Sequence, residues 1–370
     1  MRKFILFIFV FSFCAVNSFS NDGVFYSQGG TLVPLEETQV QLKKEILKFY
    51  VRDIFRVGVV IDFDFYNPGD EKTVTVGFVT PPAGGDVEDE HPQITKFVTN
   101  VNGTDIPYKI QRMNETSFKG YSDDSEFDYV YYFPVTFKKG ANHIHHTYTF
   151  RVNESVENRR EINYQITTGK RWANGQIDDF ELQVHFDDGI YAVPESFRKN
   201  GEPAGWKIKG EGVFGREVGH YGYTEDPRSK MVFIRNGYLS LKEQDFKPDF
   251  DISIREPNWG MGSSEMMCID PGDCPKAPSE LGNNAFIYFN NAPGDYLTVE
   301  TLKDLTPEDL RLIRNFQYAI KGLVFKDKTL DEYFSKYFWY MPVESLKVED
   351  IKLSDAQRDF LAKVTAAEKK

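Results

Sequence analysis

Residues 310–342 read LRLIRNFQYAIKGLVFKDKTLDEYFSKYFWYMP, and their apolar positions recur at helical spacing. Most of the chain before them alternates apolar and polar residues with the period of two that is typical of strands. Just upstream, Thr306 can cap a helix whose first turn contains Pro307, and Gly322 suits the left-handed position that ends it. The stretch therefore predicts a helical module that closes a β-rich chain.

Eight aromatic residues crowd this stretch: Tyr318, Phe325, Tyr333, Phe334, Tyr337, Phe338, Trp339 and Tyr340. A small domain buries a modest fraction of its surface, and bulky aromatic rings supply the most buried area per residue. We therefore expect a packed core, with Trp339 buried near Tyr318 and Tyr340 the more exposed of the two neighbours. The alternative is a recognition surface, for which the candidate binding residues are Tyr318, Lys321, Trp339 and Tyr340.

Two more helices are predicted after the first one. The second runs from about residue 330 to 337 and stops before Pro342, and the third runs from about residue 354 to 369. A stripe of apolar positions at helical spacing, which includes Phe360 and Val364, supports the third helix. The C-terminal domain is thus expected to be a three-helix unit over residues 299–370.

This C-terminal segment resembles the YARHG domain, a small module of secreted bacterial proteins. The matching segments are LTPEDLRLIRN, YAIKGLVF, LDEYFSKYFWYMP and LSDAQRDFLAKV, in that order. The name-giving pentapeptide is here Tyr318-Ala319-Ile320-Lys321-Gly322, so the arginine and histidine are absent. The resemblance implies a structural frame and an extracellular setting, and no catalytic role can be transferred from the missing pair.

Residues 21–298 carry the signature of antiparallel strands. FELQVHF at 180–186, IDFDFYN at 61–67 and TVTVGFV at 73–79 each place apolar residues at every second position. Turn pairs such as Asn200-Gly201 and Asn236-Gly237 separate the predicted strands. We expect one or two antiparallel β-sandwich lobes, with a division near residues 155–190 if there are two.

The segment 21–255 also resembles a β-rich domain of unknown function in exported bacterial proteins. The segments that carry this likeness include FYNPGDEKTVTVGFVTPP and MVFIRNGYLSLKEQDFKPDFDISI. The likeness implies an extracytoplasmic setting and adds no chemistry.

The first 20 residues have the pattern of a signal peptide. Arg2 and Lys3 precede an apolar run that is too short to span a bilayer, and Ser18-Phe19-Ser20 supplies a cleavage site. We expect export to the periplasm or the cell surface, with no membrane span after cleavage. The formal net charge of −12 argues against nucleic acid as a partner.

After cleavage, Cys268 and Cys274 are the remaining cysteines, six positions apart in CIDPGDC. The Asp-Pro-Gly-Asp turn between them brings the two ends together, so an exported protein is expected to pair them in a disulfide. A redox or metal site is the weaker alternative, because the spacing is not Cys-x-x-Cys and no histidine lies nearby.

Three histidines form the candidate metal site. His143 and His145 share one face of a predicted strand, and His185 lies on the polar face of another strand. Two or three such imidazoles could hold zinc or copper. The other interpretation is a solvated strand surface.

No catalytic motif for a serine hydrolase, a zinc protease or a P-loop enzyme occurs. The sequence therefore favours a non-enzymatic scaffold or docking protein of the bacterial cell envelope, without a cofactor, whose partner is an envelope protein or glycan. The alternative is an envelope hydrolase or metal-dependent enzyme that uses the three histidines.

Overall fold

The computed structural model describes residues 28–30, 33–34, 38–53, 56–80, 94–117, 128–154, 160–186, 190–217, 226–255, 302, 305–337, 339–353 and 355–369. The predicted signal peptide lies outside these ranges. Within them the chain forms strands up to Arg255 and α-helices near the C-terminus, which confirms a mainly β fold with a small helical part. Strands and helices are numbered in chain order.

In the described residues, thirteen strands form one large sheet: β1 (Gln28–Gly30), β3 (Gln41–Asp53), β4 (Arg56–Asn67), β6 (Thr95–Val101), β7 (Thr104–Asp105), β10 (Gly140–Arg151), β11 (Asn153–Glu154), β12 (Arg160–Gln165), β13 (Ile177–Phe186), β14 (Ile190–Pro194), β17 (Lys207–Glu217), β18 (Lys230–Phe246) and β19 (Ile252–Arg255). Their order is β1-β12-β19-β14-β18-β13-β3-β4-β10-β6-β7, with β11 paired to β12 and β17 paired to β18.

A second sheet has the order β2-β5-β9-β8 and contains β2 (Val33–Pro34), β5 (Lys72–Thr80), β8 (Lys109–Arg112) and β9 (Tyr129–Phe137). A small hairpin joins β15 (Arg198–Lys199) to β16 (Glu202–Pro203), and its turn is the predicted Asn200-Gly201 pair, with both residues at positive φ. Short 3-10 helices occur at Met113–Glu115, Thr167–Arg171 and Val348–Asp350.

The two sheets pack face to face around an aromatic core. Phe78 of β5 stacks on Tyr148 of β10 with ring centroids 5.7 Å apart, and Phe137 of β9 meets Phe65 of β4 at 5.5 Å. Every second residue of β4 and β10 is buried between the sheets, as the alternation in the sequence predicts. This arrangement is a β-sandwich.

The large sheet is mixed, which the alternation pattern did not reveal. Strand β13 runs parallel to β3, with Leu182 opposite Leu47, and β1 runs parallel to β12. A period of two is the same for both strand directions, so sequence alternation alone cannot distinguish them. The β3–β13 pair joins strands that lie far apart in the sequence within this one sheet.

Strand β18 contains a bulge at Arg235. Glu211 of β17 pairs with Asn236, and the next residue Gly212 pairs with Ile234, so Arg235 is an extra residue on β18. An extra residue bends the strand and redirects the side chains around it. The bulge therefore determines which residues of β18 face each side of the sheet.

Asn236-Gly237 does not form the predicted turn between strands, because it lies inside the 17-residue strand β18. Gly237 has φ of +114° and is paired with Gly210, whose φ is +116°. A Cβ atom at Gly237 would lie 2.0 Å from the Lys209 carbonyl oxygen. Glycine is thus needed at position 237 because strands β17 and β18 approach closely there, and it does not form a turn.

The C-terminal part of the chain, called the helical module below, contains α1 (Pro307–Ala319), α2 (Lys328–Phe334) and α3 (Asp355–Glu368). Their positions agree with the three predicted helices to within a few residues. Among the described residues, none of the helices has the length and apolar character needed to cross a membrane.

Candidate binding cleft between the sheet and the helical module

Helix α1 begins with the predicted cap. The Asp309 backbone N–H donates to Thr306 Oγ1 at 3.1 Å, and the Thr306 backbone N–H donates to Asp309 Oδ2 at 3.3 Å. Pro307 follows the cap, where its missing N–H costs no hydrogen bond. This reciprocal capping box fixes the point at which the helical module starts.

Gly322 ends α1 and contacts the sheet at the same time. Leu323 N–H donates to the Tyr318 carbonyl at 3.1 Å, and Gly322 N–H donates to the Ala319 carbonyl at 2.9 Å, which are the two bonds of a Schellman motif. Gly322 has φ of +80°, and a Cβ atom there would lie 2.9 Å from the Phe233 ring on β18. The helix end, which includes Lys321, is therefore held against the sheet.

Trp339 lies in the core of the module and is 0% exposed. Its ring meets Phe316 of α1 edge to face at 5.2 Å and stacks on Tyr337 at 5.2 Å. The expectation that Trp339 is buried against the first helix is confirmed.

Tyr340 is also buried, at 7% exposure, and its hydroxyl donates to the Leu323 carbonyl at 2.9 Å. It is more exposed than Trp339, as expected, but it is still a core residue. Tyr318 is half-buried on α1. The structure thus places Trp339 and Tyr340 in the core of the module.

The module shares one apolar core with the sheet. Val193 of β14 and Met231 and Phe233 of β18 belong to the same buried cluster as Phe316, Trp339 and Met341 of the module. Val232 and Ile234 point to the opposite side, into the core between the two sheets. The module is therefore seated on the outer face of the sandwich, at the end of β18 that precedes the bulge.

A cleft of about 100 Å³, called the junction cleft below, lies where the helical module meets β18. Strand β18 and the module both contribute to its lining, which consists of Phe233, Arg235, Asn236, Lys321, Leu346, Asp350, Ile351 and Lys352. Of the four candidate binding residues, Lys321 lines this cleft. The structure does not bring the other three into it.

The cleft carries a positive charge. Arg235, Lys321 and Lys352 come from three separate segments, and Asp350 is the acidic residue of the lining. Arg235 forms an ion pair with Glu211, and its Nε atom is buried without a hydrogen-bond partner in the described part of the chain. Among the described residues, three cations meet Asp350 of the lining and Glu211, the partner of Arg235, on a protein whose formal net charge is −12. Such a site favours an anionic group.

Arg235 and Lys352 were not predicted as binding residues. Arg235 follows an apolar run in MVFIRNG, where it looks like an ordinary strand residue. Lys352 lies in a segment between helices whose course depends on packing against the sheet. The Asn236-Gly237 pair was the available signal, and it marks the bulged region.

The three histidines of the candidate metal site do not lie together. His143 pairs with Asp64 at 2.9 Å and His145 with Asp62 at 2.8 Å on the outer face of β4 and β10. His185 lies on β13, three strands away, with its ring stacked between Tyr50 and Tyr238. Within the described ranges, no three histidine, cysteine or acidic residues are grouped so that they could hold a metal ion.

The predicted disulfide between Cys268 and Cys274 lies outside the described residues. The pairing stays a prediction from the sequence.

The fold is shared with a solved protein of Legionella pneumophila described as a "putative nutrient binding protein". The two chains are 18% identical, the match covers 94% of this chain and 100% of that one, and the TM-score is 0.50. Leukotriene A4 hydrolase of Saccharomyces cerevisiae is a more distant match, with 8% identity, 60% of this chain and 31% of that chain covered, and a TM-score of 0.25. No curated protein matches this chain. The Legionella match concerns the fold alone.

The helical module has a match of its own among protein families. It includes α1, α2 and α3 and contributes Lys321 and Lys352 to the cleft. Residues 286–369 match the YARHG domain, which confirms the resemblance expected from the motif around Gly322.

Proposed function

We propose that this protein is an exported, non-enzymatic binding protein of the bacterial cell envelope. In this proposal the junction cleft holds an anionic group of an envelope glycan. The observation that carries the proposal is the meeting of Arg235, Lys321 and Lys352 in one cleft at the junction of two structural units.

The geometry of the cleft supports recognition through charge. Arg235 is held by its Glu211 partner and Lys321 lies in the hydrogen-bonded turn that ends α1, so part of the site is preorganised. Ligand sites commonly lie where two units meet, since such junctions form concave surfaces. The cleft is small, which suits a single carboxylate or phosphate group of a larger polymer.

A binding role is favoured over the hydrolase alternative for a specific reason. The hydrolase interpretation requires His143, His145 and His185 to act together, and two strands, β3 and β4, lie between His185 and the other two. The YARHG match and the fold shared with the Legionella protein agree with a binding role.

The location in the cell envelope rests on the sequence. The basic head, the short apolar run and the small residues at 18–20 form the pattern of a signal peptide. The two resemblances to exported bacterial proteins are consistent with this location. Export is thus part of the proposal, and mass spectrometry of the mature N-terminus would test it.

Co-sedimentation with isolated cell walls of a Gram-negative bacterium tests the binding role. We expect the full-length mature protein to sediment with the walls at low salt and Lys321→Gln to do so about tenfold less. Lys326→Gln is the matched control, because Lys326 is an exposed lysine of the same module outside the cleft.

Treatment of the walls with protease separates the two kinds of partner. Binding that survives the treatment supports a glycan, whereas binding that is lost with it indicates an envelope protein. Equal sedimentation of wild type, Lys321→Gln and Lys326→Gln would show that the cleft is not the binding site.

A further inference from the structure

A larger cavity lies on the other side of the same strands. It has a volume of about 410 Å³ and is bordered by Phe214 of β17 and Lys230 of β18. The adjacent residues Val213 and Met231 face the module, so successive residues alternate between the two sides of the sheet. The cavity is therefore separate from the junction cleft, and the sheet lies between them.

The walls of this cavity are mostly apolar and flat. They include Pro194, Pro203, Ala204, Trp206 and Phe214. A volume of this size lies within the range of roughly 300–1,000 Å³ that is usual for small-molecule sites. The combination of rings and proline faces suits a ligand with a flat apolar side.

Trp206 is held rigidly at the cavity wall. Its indole Nε1–H donates to the Glu195 carbonyl at 2.8 Å, and its ring packs near Phe197 with centroids 6.3 Å apart. Phe197 in turn stacks on Phe250 at 5.0 Å. The indole is only partly buried, although its N–H is already satisfied by the protein. A ligand would therefore meet a preorganised ring face.

The backbone at Gly205 borders open space next to this ring. A Cβ atom at Gly205 would have no heavy atom within 4 Å in the described part of the chain. The glycine has an ordinary φ, so a larger side chain can be placed there without backbone strain. Gly205 also lines the cavity, so a larger side chain at this position probes it.

The charges around the cavity are balanced. Glu217, Arg228 and Lys230 are the charged residues of its described lining, and Arg228 is paired with the carboxylates of Asp226 and Glu202. Burial alone would raise the pKa of Asp226, but the hydrogen bonds and charge of Arg228 hold that pKa below its usual range. The balance distinguishes this cavity from the positive junction cleft and does not favour a charged ligand.

Two polar side chains at the mouth of the cavity are available to a ligand. Glu217 and Lys230 are opposite each other in the β17–β18 pair, and in the described residues neither takes part in an ion pair or hydrogen bond of its side chain. A carboxylate accepts hydrogen bonds and an ammonium group donates them. Together they can bind the hydroxyl groups of a ligand, which both donate and accept hydrogen bonds. Hydroxyl groups next to an apolar ring face are the chemistry of a sugar.

We propose that this cavity is a second binding site, for a short neutral saccharide whose apolar C–H face stacks on Trp206. Glu217 and Lys230 then contact its hydroxyl groups. The saccharide site does not depend on the anionic site in the junction cleft, and either could exist without the other.

Isothermal titration calorimetry of the full-length mature protein tests this site. The probes are maltose, cellobiose and di-N-acetylchitobiose, and we expect at least one of them to bind. Gly205→Leu fills the cavity while leaving Trp206 in place, and it should weaken that binding by about tenfold or more. Trp206→Phe reduces the aromatic surface available to the ligand and should also weaken binding. An unchanged melting temperature of Gly205→Leu would show that this variant still folds.

The junction cleft supplies the controls. Lys321→Gln should leave saccharide affinity unchanged, and added salt should have little effect on it, because a neutral ligand makes no long-range ionic attraction. The proposal is overturned if none of the three probes binds or if Gly205→Leu binds as tightly as wild type. Loss of saccharide binding in Lys321→Gln would also overturn it, since the two sites would then not be separate.

Discussion

Gly322 shows how one residue can set both the end of a helix and a contact between two structural units. Its φ of +80° closes α1, and the absence of a side chain lets the Phe233 ring approach. The sequence predicted the first role, since glycine after a helix is a common stop signal. The second role depends on where the module is seated, and no local pattern contains that information.

Gly322→Ala should therefore destabilise the protein by about 2–4 kcal/mol, because left-handed backbone strain adds to overpacking against Phe233. Gly103→Ala is the matched control, since Gly103 has φ of +89° and nothing lies within 4 Å of a Cβ atom there. Urea unfolding measures both variants. Equal losses of unfolding free energy would show that the contact with Phe233 contributes nothing.

His146 is a buried histidine among aromatic rings. Phe63, Phe97 and Phe133 lie with ring centroids 5.3–5.6 Å from its ring, and its two nitrogens have no hydrogen-bond partner in the described residues. Burial lowers the pKa of His146 to about 3, and the charge of His145 adds to this effect. His146 lies on the same face of β10 as the buried residues Ile144 and Tyr148, as the period of two in a strand requires.

The pH dependence of stability should contain a contribution from His146. The unfolded chain binds a proton near pH 6.5 and the folded protein does not, so stability falls as pH decreases below that value, by about 1.4 kcal/mol per pH unit. His146→Phe should remove this part of the slope between pH 6.5 and 4 when unfolding is followed in urea at each pH. The control Gly103→Ala changes no titratable group and should keep the wild-type slope; a wild-type slope in His146→Phe would contradict the account.

At the scale of elements, the alternating strands and the capped helix α1 could be predicted because their signals are local. Thr306 caps α1 as expected, and the Asn200-Gly201 pair forms the expected hairpin turn. The direction of β13 relative to β3 could not be predicted, because pairing joins residues that are more than 100 positions apart. The Asn236-Gly237 pair wrongly indicated a turn, because Gly237 is needed for the close approach of β17 and β18, and that pairing cannot be recognised from local sequence.

The order of the strands in the sheet also determines how far apart the three candidate metal-binding histidines lie. Since His185 is three strands from His143 and His145, we expect zinc to leave the melting temperature of the metal-free protein nearly unchanged. A native-state site would raise stability by about 2.7 kcal/mol at a hundredfold excess of metal over Kd. Calorimetric melting with and without zinc measures this. A clear rise that disappears in His143→Ala would restore the metal-site hypothesis.

At the scale of the whole molecule, the helical module and the sandwich are not independent. The buried cluster that contains Trp339 also contains Met231 and Phe233 of β18. The sequence distinguished the two parts by their periods but did not show that one is seated on the other. It also identified Lys321 and missed Arg235, because the cleft forms from residues that only the docking of the module brings together.

Trp339→Ala should therefore affect the sheet as well as the module. Removing this buried ring should lower the unfolding free energy by about 3–5 kcal/mol. Far-ultraviolet and near-ultraviolet circular dichroism should report a single coincident urea transition. Tyr340→Phe, the control, removes one hydrogen bond to the Leu323 carbonyl and should cost about 1 kcal/mol. Separate transitions for helices and strands would contradict a shared core.

The salt dependence of cell-wall binding tests the central claim, that the junction cleft recognises an anionic group, most directly. The affinity of the mature protein for isolated walls would be measured from low to high salt for wild type, Lys321→Gln and Lys326→Gln. Wild-type affinity should fall as salt screens the cations of the cleft, and Lys321→Gln should bind more weakly with a shallower salt dependence. Lys326→Gln should follow wild type, and the same salt dependence in all three proteins would contradict the account.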